Sequence, residues 1–256
     1  MKSFKKSILL FIVTISCLSV GAEISNEIKS AIASTERAER ETVRDQFRKP
    51  GEVLSLLGIK PGMNIFDASA GGGYYTDILS RVVGSDGHVY SHNTPFVINR
   101  FSNFLNNPKQ GWLPRLQSKQ WQSNVTKVVG ELDTVAFPLQ LDAVMMVLFY
   151  HDIVWQGVNR KMMNRHIFNA LKPGGKFLII DHSGLPGSKL DGVKSLHRID
   201  KQSVINELLS VGFTLSEDSN LLSHSEDTRD YPFFRDSKTR RDRTDRMVLI
   251  FEKPAG

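Results

Sequence analysis

A glycine-rich segment at residues 67–76 has the composition of a ligand-holding loop. Asp67 ends an apolar stretch, and Gly71 and Gly73 follow it just before a helical run. Glycine lets the backbone approach a ligand closely because no Cβ intervenes, and the N–H groups that open the next helix then face that ligand. The spacing does not fit a dinucleotide site, because Thr76 stands where the third glycine of that pattern belongs.

Two polar clusters follow later apolar stretches. One consists of His151 and Asp152, and the other of Asp181 and His182. Because histidine titrates near neutral pH, we predict that His151 is a general base oriented by Asp152 or Asp181. Two alternatives stay open: the residues only cap a helix and satisfy loop N–H groups, or Asp152, Asp181 and His182 hold a divalent metal. The metal set is only an alternative, and the main prediction for the site includes no metal ligand.

The elements that must position these residues alternate along the chain. Apolar runs that predict strands occur at residues 63–67, 87–91, 125–129, 141–149, 176–181, from 212, and at 247–253. They lack polar alternation, as expected for strands covered on both faces. Strands alternating with helices predict an α/β fold with a doubly wound sheet. Ligands bind at the carboxyl ends of such strands, where the glycine loop and both polar clusters fall.

The helices are predicted from apolar periodicity and end signals. They cover residues 23–48 on the outside of the domain, and residues 51–58, 75–83, 95–106, 160–171 and 200–211. Asp200 is the expected N-cap of the last helix, and we expect His197 and Arg198 before it to form a lid or a substrate contact. The polar stretch at residues 110–124, with two tryptophans, predicts an insertion or a cap near the site. The last two strands are expected to form a hairpin.

Three motifs, in order, resemble those of the class I S-adenosylmethionine-dependent methyltransferases. Residues 67–76 resemble the first motif, residues 141–144 the opening of the fourth strand, and residues 171–177 the turn before the fifth. The resemblance covers nearly all of residues 23–256. It implies a Rossmann-like seven-stranded sheet, S-adenosylmethionine as cofactor and methyltransferase activity. The run Gly-Gly-Gly-Tyr-Tyr-Thr and residues 197–200 resemble a group of predicted, exported bacterial methyltransferases.

The resemblance also implies roles for single residues around the loop. Asp67, Gly71 and Gly73 would hold the methionine part of the cofactor. Ser69 replaces the first glycine of the motif, so its side chain must be accommodated in a tight turn.

Two further positions correspond to cofactor contacts. Asn93 stands where an acid usually binds both ribose hydroxyls, and Glu131 matches the acid that meets the adenine amine. An amide lacks the charge that strengthens such bonds, so we expect weaker cofactor binding. For Glu131, a solvated loop carboxylate is an equal alternative.

The first 22 residues have the three parts of a secretory signal peptide. Three lysines precede an apolar run at residues 8–20, and small residues end it at Ala22. The run is shorter than the ~20 residues that span a bilayer. We therefore predict cleavage after Ala22, a methyltransferase-like domain at residues 23–256, a periplasmic or secreted location and no stable membrane insertion.

The cysteine count and the net charge limit the classes of partner that the protein can be expected to bind. The lone cysteine, Cys17, lies in the signal segment, so residues 23–256 hold no thiol for a disulfide or a metal. Three of the 33 basic residues and none of the 27 acidic ones lie there, so the remaining net charge is +3 rather than +6. A net charge this small does not indicate a nucleic-acid-binding protein. Arginines and aspartates interleaved at residues 236–246 predict a solvated mixed-charge face. A small-molecule substrate is the expected partner.

Export conflicts with this cofactor, because S-adenosylmethionine is made in the cytoplasm. Three functions therefore stay open: a methyltransferase acting on an unidentified acceptor, a non-catalytic periplasmic small-ligand-binding protein on the same fold, and a metal-assisted enzyme using the His/Asp rim. Fold alone does not decide among them. No motif in the sequence names the acceptor.

Overall fold

The computed structural model describes residues 23–108, 111–234 and 242–256, so the predicted signal peptide lies outside the described residues. The helices are α1 (Asn26–Ile32), α2 (Glu39–Thr42), α3 (Asp45–Arg48), α4 (Pro50–Leu57), α5 (Tyr74–Val83), α6 (Pro95–Arg100), α7 (Ser102–Leu105), α8 (Trp112–Arg115), α9 (Lys119–Gln122), α10 (Tyr150–Trp155), α11 (Arg160–Ala170), α12 (Val193–Leu196) and α13 (Lys201–Leu209). The strands are β1 (Asn64–Ala68), β2 (His88–Asn93), β3 (Val125–Val129), β4 (Leu141–Val147), β5 (Leu171–His182), β6 (Thr214–Ser219) and β7 (Arg246–Glu252). Across the described ranges no helix has the length and apolar character needed to cross a membrane.

Seven strands form one sheet in the order β3-β2-β1-β4-β5-β7-β6. The first five are parallel to their neighbours, and β7 runs antiparallel between β5 and β6. The seven-stranded doubly wound sheet and the antiparallel final pair are therefore confirmed. The strand order reverses at β1, which lies between β2 and β4, and a crevice at such a reversal is where open α/β sheets bind ligands.

Both faces of the sheet are covered, as the unbroken apolar strands predict. Alternate residues of a strand point to opposite faces. Phe66, Val144 and Phe177 form a row across β1, β4 and β5 on one face. On the other face, Met145 and Leu178 pack with the buried residues of α5. Both faces of the parallel centre are thus covered, and its carboxyl edge is the part left to hold a ligand.

The predicted single helix at residues 23–48 is instead three short helices. The buried Arg37 side chain explains the break, because its Nη1 donates to the Ile32 carbonyl at 2.9 Å and to Asp45 at 2.6 Å. These bonds stop α1 and fold the chain back toward the domain. The predicted helix at residues 95–106 also divides, into α6 and α7, at Phe101.

Of the predicted insertion or cap at residues 110–124, the described residues 111–124 pack into the core. Trp112 and Trp121 are both fully buried. The Trp112 indole N–H donates to Ser91 at 2.8 Å, and that of Trp121 donates to Asp77 at 3.0 Å. Helices α8 and α9 therefore pack against β2 and α5, and each helix is fixed there by one indole hydrogen bond.

The solvated mixed-charge face predicted at residues 236–246 is wrong for the part described. Asp242, Asp245 and Arg246 are all buried. Asp242 pairs with Arg44 at 2.6 Å, and Arg246 donates to the Phe47 carbonyl at 2.8 Å. These charges serve internal pairing, which their sequence pattern alone does not distinguish from a solvated surface.

Candidate functional site

A cavity of about 450 Å³ opens at the carboxyl ends of β1 and β4, a volume typical of small-molecule sites. Its wall comes from the N-terminal helices, the glycine loop with the start of α5, helices α6 and α7, the end of β4 with the start of α10, and Phe233. From the loop come Asp67, Ser69 and Gly71, and from α10 comes Asp152. The structure therefore brings part of the predicted cofactor set and part of the predicted catalytic set into one space.

The glycine loop turns through three left-handed residues. Ser69 has φ 56°, Gly71 φ 58° and Gly73 φ 87°. Glycine adopts this region without penalty, but a serine there is strained. The buried Ser69 hydroxyl has no hydrogen-bond partner within the described part of the chain. The sequence correctly identified this position as the irregular one in the motif.

Asp67, the penultimate residue of β1, is held by a buried chain of hydroxyls. Its Oδ2 accepts the Thr76 hydroxyl at 2.6 Å, and the Thr76 oxygen lies 2.8 Å from the Ser91 oxygen. Because the only Thr76 hydroxyl hydrogen goes to Asp67, Ser91 is the donor to Thr76, and Ser91 accepts from Trp112. Burial raises the pKa of Asp67 to about 6, although the Thr76 hydrogen bond and Arg48 oppose that rise.

His92 and Asn93, at the end of β2, hold the glycine loop in place. Asn93 accepts the Gly71 N–H at 2.9 Å and donates to the Gly71 carbonyl at 3.0 Å. His92 accepts the Ser69 N–H at 3.2 Å through Nδ1, and its Nε2 donates to the Gly130 carbonyl at 2.9 Å. Burial lowers the pKa of His92 to about 4, so the ring is neutral in this role.

The predicted ribose and adenine contacts do not line the cavity. Asn93 is fully buried, and its amide is committed to the Gly71 backbone. Glu131 is exposed beyond β3. Gly73 is covered, since a Cβ there would lie 2.3 Å from the Trp121 ring. The assigned cofactor roles of these three residues stay predictions.

Three arginines of the N-terminal helices were missed as site residues. Arg40, Arg44 and Arg48 line the cavity. Arg48 is buried, with its guanidinium 4.1 Å from the centre of the Tyr74 ring. The signal was present in the sequence, because the single helix predicted for residues 23–48 would place residues four apart on one face.

His151 lies between two carboxylates. Its Nδ1 is 2.6 Å from Asp181, and its Nε2 is 3.1 Å from Asp152. Burial lowers the pKa of His151, but Asp181 and Asp152 outweigh burial and raise it to about 10. A histidine that keeps its proton at neutral pH is a poor base. The general-base role therefore stays a prediction that this arrangement does not favour.

Asp181 is the inner carboxylate of this cluster. It is fully buried and accepts the backbone N–H groups of His151 at 2.7 Å and His182 at 2.8 Å. With the His151 ring, it therefore has three N–H donors. Its predicted role of orienting His151 agrees with these contacts.

His197, the residue that follows α12, completes the cluster. Its Nδ1 lies 2.9 Å from the Asp152 carboxylate and 3.3 Å from His151 Nε2. The Trp155 indole N–H donates to the same Asp152 oxygen at 2.9 Å. Asp152 is the member of this group that faces the cavity.

The alternative metal set of Asp152, Asp181 and His182 is not assembled. The two carboxylates flank opposite nitrogens of His151, and His182 turns away to Thr244 at 2.7 Å. Burial lowers the pKa of His182, and its ring stacks on Phe233 with centroids 4.5 Å apart.

Residues 198–200 are structural. Arg198 is not the lid or substrate contact that the sequence suggested, because it is buried and pairs with Asp227 at 2.9 Å. Asp200 is the predicted N-cap, accepting the Gln202 N–H at the start of α13.

Comparison with known proteins gives the same fold. No protein-family model matches the chain. A ubiquinone/menaquinone biosynthesis C-methyltransferase UbiE of Vibrio parahaemolyticus is 29% identical over 152 residues, covering 58% of this chain and 54% of that protein. The same enzyme of Vibrio cholerae is 27% identical over 153 residues, with the same coverage. The chain thus spans about half the length of the curated relatives it matches.

Solved structures are similar over most of the chain. A SAM dependent methyltransferase from Aquifex aeolicus superposes with a TM-score of 0.56 and 18% identity, covering 82% of this chain and 92% of that one. The [4+2]-cyclase SpnF gives a TM-score of 0.58 and 13% identity, covering 88% and 86%. The strand order and these similarities show that the chain has the fold of the class I S-adenosylmethionine-dependent methyltransferases.

Proposed function

We propose that the protein is an S-adenosylmethionine-dependent methyltransferase that acts on a small-molecule acceptor. The observation that carries the proposal is the glycine loop, which opens onto a cavity at the reversal point of this sheet. Curated relatives are methyltransferases, one of them 29% identical to the part of the chain that it matches. Their C-methylation in ubiquinone/menaquinone biosynthesis supports the reaction class and leaves the acceptor open.

The cavity wall fits the methionine end of the cofactor. Asp67, Ser69 and Gly71 offer a polar rim, and Arg48 supplies a buried cation for a carboxylate. The fit is weaker at the other end, because Asn93 and Glu131 lie outside the wall. We therefore expect measurable but modest affinity.

S-adenosylmethionine supplies an activated methyl group, so the protein mainly has to align an acceptor and exclude water. Asp152 and Phe149 line the same cavity as the glycine loop, beyond the end of β4. We assign the acceptor to this side. The buried Asp181 fixes the His151 ring, which in turn fixes Asp152.

We also propose an exported location, supported by the signal-peptide features of residues 1–22. The mass of the protein recovered from a periplasmic or culture fraction tests this. A chain that begins at Glu23 supports it, and an intact chain confined to the cytoplasm contradicts it.

Thermal unfolding with S-adenosylmethionine or its demethylated product tests the main proposal. Ligand at about 100 times its Kd adds about 2.7 kcal/mol, which shifts the Tm of a domain of this size by roughly 5–10 °C. Asp67→Asn removes the carboxylate at the loop and should lose most of this shift. The matched control Asp86→Asn changes an exposed aspartate and should keep it.

Two results would contradict the proposal. One is the absence of any shift in the wild type at millimolar ligand. The other is an equal loss in Asp67→Asn and Asp86→Asn. The first would favour the small-ligand-binding alternative on this fold, and the second would show that the carboxylate of Asp67 has no specific role in the shift.

A further inference from the structure

Three donor atoms meet at the end of the cavity. The distances are 3.1 Å from His151 Nε2 to Asp152 Oδ1, 2.9 Å from His197 Nδ1 to the same oxygen, and 3.3 Å between the two nitrogens. If both rings donate to Asp152, two N–H groups point into one small space. A cation bound by both nitrogens and the oxygen would replace the two N–H hydrogens and so remove their crowding.

The triangle has the dimensions of one face of a metal coordination sphere. Ligand bonds of His and carboxylate to Zn²⁺ are about 2.0–2.2 Å. Adjacent ligands at that bond length lie about 3.0 Å apart in an octahedron and about 3.4 Å apart in a tetrahedron. The three distances, 2.9, 3.1 and 3.3 Å, lie in that range or within 0.1 Å of it.

A second observation concerns the ring nitrogen of His151 that faces away from these three atoms. Asp181, fully buried, holds Nδ1 of His151 at 2.6 Å and is itself fixed by two backbone N–H groups. A carboxylate on the far nitrogen of a ligand histidine is the usual support of a metal site, because it fixes the tautomer and the ring orientation. Trp155 orients the Asp152 carboxylate in a similar way.

We propose that His151, Asp152 and His197 bind one divalent transition-metal ion. Two imidazole nitrogens and one carboxylate favour Fe²⁺, Co²⁺ or Zn²⁺, whereas Mg²⁺ and Ca²⁺ prefer oxygen ligands throughout. Three protein ligands leave coordination positions open, and Asp152 places them toward the cavity. This set differs from the one that the sequence suggested, since Asp181 supports the ion from outside and His182 is not involved.

The site indicates an acceptor class, a step that rests on the proposed function. An ion at the acceptor side binds an oxygen of the acceptor, such as a phenol, an enol or a hydroxy acid, and lowers the pKa of that oxygen. The acceptor loses a proton to solvent and its nucleophilic atom forms a bond to the methyl carbon. The methyl–sulfur bond breaks, and the sulfur keeps the electron pair.

Metal titration of the protein purified without a histidine tag tests the site. After treatment with a chelator, the wild type should bind one Co²⁺ per chain with new visible absorption, and Zn²⁺ should displace it. His197→Gln removes a half-buried ligand at the edge of the fold and should abolish this binding. Asp181→Asn should weaken it by about 10- to 100-fold, as expected for a supporting residue. His166→Gln, on α11, is the matched control and should bind like the wild type.

The proposal is overturned if the wild type binds no Co²⁺ or Zn²⁺ stoichiometrically, or if Mg²⁺ competes equally. It is also overturned if His197→Gln binds as tightly as His166→Gln. The S-adenosylmethionine shift, measured separately on chelator-treated protein, tells the two proposals apart. If the protein shows the ligand shift but binds no metal, only the metal-site proposal is contradicted. If it binds metal but shows no ligand shift, only the cofactor proposal is contradicted.

Discussion

Ser69 takes a backbone conformation that glycine would hold at lower cost. Its φ of 56° lies in the left-handed region, and its buried hydroxyl has no hydrogen-bond partner within the described residues. Both features oppose folding. A residue that costs stability while lining the cavity is typical of a site that serves binding.

Ser69→Gly should therefore raise the free energy of unfolding by roughly 0.5–1 kcal/mol, because relief of strain exceeds the extra freedom of the unfolded chain. Denaturant unfolding measures the change. Gln140→Gly, at φ 62° in an exposed loop, is the matched control for strain alone. A ligand shift that falls in Ser69→Gly but not in Gln140→Gly would assign the serine a binding role. Destabilisation by Ser69→Gly would contradict the strain argument.

At this scale the sequence predicted residue types better than their partners. It identified Asp67, Ser69 and Gly71, which do line the cavity. It could not predict that Asn93 would bond to the Gly71 backbone, because an amide at a strand end suits a ligand and a loop equally. Nor could it bring His197 to Asp152, since these residues meet only through the packing of α12 on α10.

Among the elements, the segment of α8 and α9 fixes the glycine loop from outside. The Trp121 ring lies directly over Gly73, and Arg115 donates to the Gly72 carbonyl at 3.1 Å. The loop is thus held between this segment and the end of β2. The sequence predicted an insertion here, but tryptophans give no sign of whether they face a ligand or a core.

Gly73→Ala should cost about 2–4 kcal/mol, because the new Cβ adds a steric clash with Trp121 to a left-handed backbone. Gly174→Ala is the matched control, with φ 75° and no atom within 4 Å of the new Cβ, and should cost about 1 kcal/mol. Chemical denaturation of both variants gives the difference. Equal costs would show that Trp121 moves aside and does not hold the loop.

Strand positions were predicted more accurately than the N-terminal helices. An unbroken apolar run defines a buried strand without reference to the rest of the chain. The break after α1 depends instead on Arg37 reaching Asp45, a contact that helical periodicity does not encode. Short helices are stabilised mainly by such tertiary contacts.

For the whole molecule, the neutral His92 makes stability depend on pH. Its pKa is about 4 when folded, below the ordinary 6.5. The unfolded chain therefore binds more protons between these values, and the contribution of His92 to stability falls as the pH falls from 6.5 to 4. The loss amounts to up to about 3 kcal/mol. Asp67 opposes it in the same window, because its raised pKa favours the folded chain at lower pH.

The difference in unfolding free energy between the wild type and His92→Gln isolates the contribution of His92 to the pH dependence of stability. It should shrink as the pH is lowered from 7 to 4, because only the wild type loses the contribution of a neutral buried ring. Urea unfolding across this range measures it. The difference between the wild type and Gln140→Gly should stay constant. A difference for His92→Gln that does not change with pH would contradict a neutral, buried His92.

The bond between Arg44 and Asp242 joins residues 198 positions apart. One wall of the cavity belongs to the beginning of the domain. The contacts that hold it come from Asp242, just before the last strand, and from Arg246, which opens that strand and donates to the Phe47 carbonyl. Contacts between distant parts of a chain form late and slowly. During synthesis, the cavity therefore lacks a fixed wall until β7 has been made. Ligand binding by this protein is accordingly a property of the finished chain, and a nascent or C-terminally shortened chain should fail to retain it.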